Sequence, residues 1–530
     1  MRLLPKAGWK RWLALIGVVI GSVFGFFVLL IIGIWAAFQS PRFQGWFFQQ
    51  MIVRGASAPP EEMHGHPGPT PTYAGPIGDA RLVKSAGEIF GTTNVWNVHL
   101  QFSEPQWAGI QSQRVRSVPN WMKPDGSVQL RNTNATRNGL AGVLGFDFPW
   151  STGRVDFAGV IITNAGVRFK GNGTYLGVLQ SYRKSFKLDV GKYSKDARIA
   201  GRSQFNLGNL SADLTCLSDT LAYELFRDAG VAAPRTAFAR VFLGIDGLET
   251  NRLLGLYVLV ENPDAQWAKQ QFGEPGVALF KPVTYELFAD LGTNWAAYDG
   301  IYDPKTDITP AQQERVMGLS RLVTHASDND FARQVAEWVD LDQFARFLAT
   351  EVLLSNYDGI LSNGQNFLMY LDPRTNRFGF IPWDLDHSWG EFPFLGSAEQ
   401  REHASIRKPW VGTNRFLERM MSVEAFNQRY RQQLYRLLDT VFIPERLNRR
   451  VDEVAAAARP LVAEWSPQRL AKFEVAVASE PVGGPRDGNP MDPNRPVWQF
   501  KRFIATRAEN VRAQLDGKAE GIELTRQGSR

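Results

Sequence analysis

The sequence predicts an α+β fold preceded by a single membrane-spanning helix, and three observations carry that prediction. Strand-like alternation of apolar and polar residues dominates the first half of the chain, while apolar residues recurring at three and four dominate the second. Ahead of both, Leu13 to Phe38 is a run of 26 residues without a charge. Such a run is long enough to cross a bilayer as a tilted helix.

Composition narrows the function classes. At 530 residues, 44% hydrophobic and 21% charged, the chain is a folding sequence with room for more than one domain. The net charge of +6 is small for this length and comes with no Lys/Arg tract or basic-aromatic repeat, which argues against a nucleic-acid partner. Cys216 is the single cysteine, so an intrachain disulfide and a multi-cysteine metal site are excluded. Its apolar setting predicts a small buried residue rather than a nucleophile.

Arg2, Lys6, Lys10 and Arg11 precede the apolar run and Arg42 follows it. The positive-inside rule then predicts a cytoplasmic N-terminus (1–12), a spanning helix (13–38) and the bulk of the chain outside the inner membrane. Gly17, Gly21 and Gly25 at four-residue spacing suit close approach of two such helices in a homodimer, although chance placement of glycine accounts for them equally well. A Pro/Gly-rich stretch at 39–79 predicts a loosely ordered tether, whose His64 and His66 could touch a metal but, without a third ligand, are a weak signal for one.

From Ala80 the elements follow in order. VWNVHLQF (Val95 to Phe102) alternates as a strand, Val155 to Phe169 gives two more strand-like runs, and Lys170-Gly171-Asn172-Gly173-Thr174 is a tight loop. Alternation across Tyr182 to Leu188 sets Lys184 on the face opposite Arg183 and Lys187, as on a solvated edge strand or beside a phosphate. A helix over Asp219 to Ala229 is closed by Gly230, and strands follow at Thr236 to Leu243 and Leu253 to Glu261. A short helix at Asp264 to Phe272 and a strand at Gly276 to Pro282 end a strand-rich part, 80–283.

Helices are predicted in the rest (284–515) at Pro310 to His325, Asp328 to Trp338, Leu341 to Leu354, Arg415 to Leu438, Pro444 to Val462, Pro467 to Val477 and Val497 to Leu515. A polar tail occupies 516–530. Between the helices, Phe367 to Leu371 and Phe378 to Trp383 form a hairpin around the turn Asp372-Pro373-Arg374-Thr375-Asn376. Beyond the hairpin come Asp384, Leu385 and Asp386. Side chains two apart on an extended chain share a face, so these carboxylates can converge on one cation, with Asp358 and Asn366 able to join them. Ordinary turn chemistry accounts for Asp372, and the residues alone leave both readings open for Asp384 and Asp386.

Four stretches in this order are similar to the CotH spore coat protein family: KGNG with RKSFKL (Lys170 to Leu188), TLAYELFRDAGVAAPRTAFARVFL with LLGLYVLVE (Thr220 to Glu261), LSNYDGILSNGQNFLMYLDP (Leu354 to Pro373) and FGFIPWDLDHSWG (Phe378 to Gly390). The resemblance covers roughly Thr92 to Leu515. It implies an atypical protein-kinase-like bilobal domain that transfers the γ-phosphoryl group of ATP to Ser or Thr of a protein substrate, with Mg²⁺ or Mn²⁺.

Carried over residue by residue, the resemblance implies that Lys184 touches ATP phosphates, with Lys170 in a weak glycine-containing phosphate loop. It implies that Glu261 borders the nucleotide, that Asp358 is the catalytic-loop acid, that Asn366 is its amide neighbour at nucleotide and metal, and that Asp384 and Asp386 are the metal pair. Phosphoryl transfer needs phosphate neutralisation, oxygen ligands for the ion and an acid at the acceptor hydroxyl. Two other classes remain open: a non-catalytic envelope or coat assembly protein on a kinase-like scaffold, and a metal-dependent phosphohydrolase.

Overall fold

In the computed structural model, residues 63–67, 73, 75–111, 113–114, 146–171, 173–284, 286–480 and 497–525 are described. Among the described residues the first half supplies the seven strands of a barrel: β1 (Val95–Phe102), followed by α1 (Glu104–Ile110), then β2 (Ser151–Phe157), β3 (Val160–Lys170), β4 (Ser185–Asp189), β5 (Gln204–Gly208), and, after α2 (Ser218–Asp228), β6 (Thr236–Ile245) and β7 (Glu249–Glu261). They close into a barrel in the order β1-β2-β3-β4-β5-β7-β6. Closure is made by β1, which pairs antiparallel with β2 and parallel with β6. A closed barrel leaves no edge to protect.

Alternation decides the interior. Val98, Leu100, Phe102, Phe157, Phe169, Phe186, Phe205 and Leu259 point inward and form one apolar core. Every residue of β6 is buried, because its second face, with Phe238, packs on the helices beyond. A strand covered on both sides loses the alternating pattern and becomes continuously apolar. At Gly255 in β7 the backbone takes φ +97, and a Cβ there would stand 2.6 Å from the Trp465 ring. The barrel and the helices can therefore meet closely only with glycine at this position.

The second half contains α3 (Ala265–Phe272), β8 (Ala278–Phe280), α4 (Pro310–His325), α5 (Leu341–Leu353), β9 (Phe367–Asp372), β10 (Arg377–Pro382), α6 (Arg415–Ser422), α7 (Glu424–Thr440), α8 (Pro444–Trp465), α9 (Pro467–Val477) and α10 (Phe500–Leu515). β8, β9 and β10 form an antiparallel sheet in that order. Two reciprocal hydrogen bonds tie the hairpin to α5: the Gln343 side chain donates to Phe380 O at 2.6 Å and accepts from Phe380 N at 2.8 Å. Phe344 lies 4.5 Å from Phe380 and 5.3 Å from both Phe416 and Phe426, so α5, α6, α7 and the hairpin share one aromatic core. Asp372 is the turn residue its sequence suggested, accepting from Arg374 N at 2.8 Å.

Several expectations are corrected. The strand-rich part is a closed seven-stranded barrel joined to mixed helices, which replaces the bilobal, anchor-preceded architecture. Among the described residues no helix is long and apolar enough to cross a membrane. Even α8, with 22 residues, carries Arg446, Arg449, Arg450, Asp452 and Glu453. The segment 13–38, with Gly17, Gly21 and Gly25, lies outside the described residues. The membrane anchor, the homodimer through those glycines and the single-pass inner-membrane placement are therefore without structural support and are set aside. Parts of the expected tether are docked: Met63 is buried, and His66 exchanges backbone hydrogen bonds with Leu253. The expected helix from Arg415 to Leu438 is broken at Val423 into α6 and α7.

Candidate active site

The end of α5 sets the stage. Helix termini leave carbonyls without intrahelical partners, and here the buried Arg507 of α10 donates to Val352 O at 2.8 Å and Ala404 O at 2.7 Å. The loop that follows starts with Ser355 in the left-handed region (φ +45), its hydroxyl donating to Arg401 O at 2.9 Å. Three residues on, Asp358 is half-buried and held at both oxygens: Asn363 Nδ2 donates to Oδ1 at 2.5 Å and Asn366 Nδ2 to Oδ2 at 2.8 Å. Burial pushes this carboxyl up to about 6, helped by Asp384 and opposed by His387 and the amide donors.

Asp384 and Asp386 line the same cleft, and the chain between them does not follow extended alternation. Asp384 takes a left-handed conformation (φ +58), its N–H donating to the Tyr223 hydroxyl at 2.9 Å. Leu385 N donates to Asp219 Oδ1 at 2.8 Å, and the indole of Trp389 donates to Ser218 O at 3.3 Å. The first turn of α2 thus grips the carboxylate turn from below. α2 is itself anchored by the buried Asp213, whose carboxylate accepts from Ser218 N at 2.9 Å.

The carboxylates crowd one another. Burial and Asp384 push Asp219 up to about 7. Burial also raises Asp386 well above the carboxylate range, with Asp384, Asp219 and Asp358 adding to it and His387 opposing. Burial works against the charge on His387, yet Asp386, Glu391 and Asp358 outweigh it, and Nδ1 lies 2.6 Å from Glu391 Oε2. Ligand atoms of Asp358, Asp386 and His387 lie within 4.8 Å of one another. With its Nδ1 turned to Glu391, His387 leaves a mainly oxygen donor set at this corner, which suits Mg²⁺ or Mn²⁺.

Asp219, Asp384 and Asp386 face a small cleft, partly open to solvent, between the barrel mouth and the hairpin. Lys170, Gly171, Ser185, Asp219, Trp383, Asp384 and Asp386 are among its lining residues. Lys170, at the end of β3, lies 5.6 Å from the ring centroid of Trp383.

Asp358 and Asn366, joined to each other, are not among the lining residues of the cleft, and two further expected residues are elsewhere. Lys184 is buried, its ammonium donating to Val178 O and lying 4.9 Å from the Tyr175 ring centroid, and burial pushes it down to about 7. It does not line the cleft. Glu261 is 1% exposed and saturated: Oε1 accepts from Arg202 at 2.8 Å and Arg235 at 2.6 Å, and Oε2 from Arg235 Nε at 3.0 Å and the Trp267 indole at 3.2 Å.

Asp219, Tyr223, Trp383 and His387 are the residues that sequence reasoning missed. An acid in a helix's first turn is ordinary, which disguised Asp219. Its spacing of four from Tyr223 on α2 was the available signal, since that puts both on one face.

The CotH kinase protein family profile matches residues 167–511, which contain every candidate residue of the cleft. The chain belongs to the CotH kinase family. Among CotH relatives, it is 24% identical over 266 residues to the inner spore coat protein H of Bacillus subtilis, covering 49% of this chain and 69% of that protein. It is 25% identical over 199 residues to invasin CotH7 of Rhizopus delemar, covering 36% of this chain and 32% of the invasin. Spore coat protein homolog 1 of the same fungus is 21% identical over 211 residues, covering 39% and 33%. The chain thus spans about a third of the length of these fungal CotH relatives. β1 and β2 precede the CotH match, and the barrel mouth, hairpin and Asp358 loop fall within it.

Proposed function

We propose that this CotH-family chain is a metal-dependent phosphotransferase that moves the γ-phosphoryl group of ATP to a Ser or Thr hydroxyl of a protein. The observation that carries this reading is one cleft lined by Asp384, Asp386 and Lys170, with a carboxylate oxygen of Asp358 within 4.8 Å of one of Asp386.

Asp358 orients the acceptor hydroxyl and takes its proton; with a value near 6 it is mostly ionised at neutral pH. Asn363 and Asn366 fix that carboxylate at both oxygens, so its direction is set before substrate arrives. Asp384 and Asp386 are the residues that would hold Mg²⁺ or Mn²⁺, with Asn366 acting through the carboxylate of Asp358. The ion, when bound, supplies charge neutralisation for the phosphoryl oxygens. Lys170 stabilises phosphate charge from the barrel side.

The relatives' names, spore coat protein and invasin, favour a second reading: an assembly or surface protein on the same scaffold. Incubating the full chain with γ-labelled ATP, Mg²⁺ or Mn²⁺ and a generic protein acceptor separates the readings. Label on the acceptor, lost in Asp358→Asn and Asp384→Ala, is the expected result. Free phosphate without acceptor labelling would make the chain a phosphohydrolase, and neither product would leave the assembly role.

A further inference from the structure

Glu351 is fully buried in the last turn of α5. Asn356 is fully buried too; its backbone N–H donates to Glu351 O at 3.1 Å, and its side chain lies at the Glu351 carboxyl. Among the described residues neither side chain bonds a third group. A carboxylate only accepts hydrogen bonds, whereas a carboxylic acid donates and accepts, as a primary amide does. A protonated Glu351 and Asn356 can therefore satisfy each other, O–H to Oδ1 and Nδ2–H to the acid carbonyl, where an unmatched charge would be costly. Burial pushes the Glu351 carboxyl up to about 8, in keeping with an acid that holds its proton at neutral pH.

The pair stands against the residue that follows Asp358. A Cβ placed on Gly359 would lie 3.1 Å from Asn356 Nδ2 and 3.4 Å from Glu351 Oε2, so the backbone here sits directly on the two polar side chains. Gly359 O accepts from Asn363 N at 3.0 Å and from Gly364 N at 3.1 Å. The Asn363 side chain, in turn, is one of the two amides that hold the Asp358 carboxylate. The flanks of the loop are tied to other elements, Leu354 O accepting from Gly390 N at 2.9 Å and Gly364 O from Thr284 N at 2.8 Å. At its middle the contact is with Glu351 and Asn356.

We propose that Glu351 is a positioning residue for the transfer reaction: its carboxyl group, paired with the Asn356 amide, supports Gly359 and thereby the Asn363 amide that aims Asp358. It acts through Asp358, and so it rests on the phosphotransferase reading for the role of that residue.

The test is hydrogen–deuterium exchange of the full chain, read on the 355–366 segment, beside steady-state transfer of labelled phosphate, for wild type, Glu351→Leu and Glu351→Gln. Glu351→Leu leaves the Asn356 amide unmatched. It should speed exchange in that segment alone and lower kcat by roughly tenfold to a hundredfold, with KM for ATP unchanged. Gln carries a donor and an acceptor at the same reach, so Glu351→Gln should return both readings to within about twofold of wild type.

Should Glu351→Leu not fold, Glu351→Asp, which withdraws the same acid by one methylene from Asn356 and Gly359, takes its place with the same two readings expected. Unchanged exchange and kcat in the folded variant, faster exchange throughout the chain, a rise in KM without a fall in kcat, or a Gln variant as impaired as the others overturns the proposal. Faster exchange confined to 355–366 and rescued by Gln, in a chain whose wild type transfers no phosphate, supports the paired support of the loop and overturns the phosphotransferase reading instead.

Discussion

Glu261 and Asp386 are acidic residues that the fold removes from bulk water in opposite ways. Glu261 sits at the end of β7 with Arg202, Arg235 and the Trp267 indole around it, so its charge is matched inside the protein. Asp386 faces Asp384, Asp219 and Asp358, with His387 as the nearby positive group, and its carboxyl is raised well above the usual range. A buried carboxylate matched by arginines fixes geometry, while a group of carboxylates raised by one another has unspent affinity for a cation. The contrast separates the acid that builds the barrel end from the acids that serve the cleft.

Substitutions on the two sides should part company. Asp358→Asn and Asp384→Ala are expected to lower phosphoryl transfer at least a hundredfold while leaving the fold intact, measured by label incorporation alongside circular dichroism. Glu261→Ala removes the carboxylate that pairs the 3%-exposed Arg202 at 2.8 Å and should cost about 3–5 kcal/mol in denaturant unfolding. In metal-free buffer, Asp386→Asn relieves like-charge crowding and should melt at or above the wild-type temperature, the opposite sign to Glu261→Ala. Mg²⁺ at a hundredfold excess over its Kd should stabilise the wild type by about 2.7 kcal/mol, and Asp386→Asn far less.

A pH-dependent effect concerns Glu351, fully buried at the end of α5. Burial pushes its carboxyl from 4.5 up to about 8, with the Asn356 side chain opposing. Between those values the folded chain keeps a proton that the unfolded chain has released, so stability falls as pH rises, by about 1.4 kcal/mol per unit at most. Below about 4.5 and above about 8 the contribution is flat. The stability difference between Glu351→Gln and wild type, followed by thermal melting from pH 5 to 8, should therefore move in favour of the variant as pH rises.

Local chemistry was legible where neighbours in sequence are neighbours in space. The hairpin, its Asp372 turn, β1 and α9 follow from alternation, turn residues and helical periodicity, and the burial of Cys216 from its apolar setting. Partnership over long range was hidden. An acid ending a strand looks the same whether it meets a nucleotide or arginines, and Arg202 lies 59 residues from Glu261. β5, a short QFNLG segment between β4 and β7, has too little alternation to announce itself.

Lys184 and Lys187 show how much rests on register. The strand begins at Ser185, which lines the cleft; Lys184 falls before the strand and Lys187, two residues on, is not among the lining residues. Extended alternation was expected to set the directions of Asp384 and Asp386; their placement instead depends on a left-handed Asp384 held by Tyr223 and on Asp219 gripping Leu385, contacts 161 and 166 residues apart. The strongest hydropathy signal in the chain, 13–38, falls on residues outside those described.

Mn²⁺ binding to the full chain in the presence of ATP, followed by electron paramagnetic resonance, is the most direct test that the crowded carboxylates form a cation site and the arginine-matched one does not. Saturable binding that is lost in Asp384→Ala and Asp386→Asn and kept in Glu261→Gln is the predicted result. Equal binding in all four proteins, or none in the wild type, would contradict it.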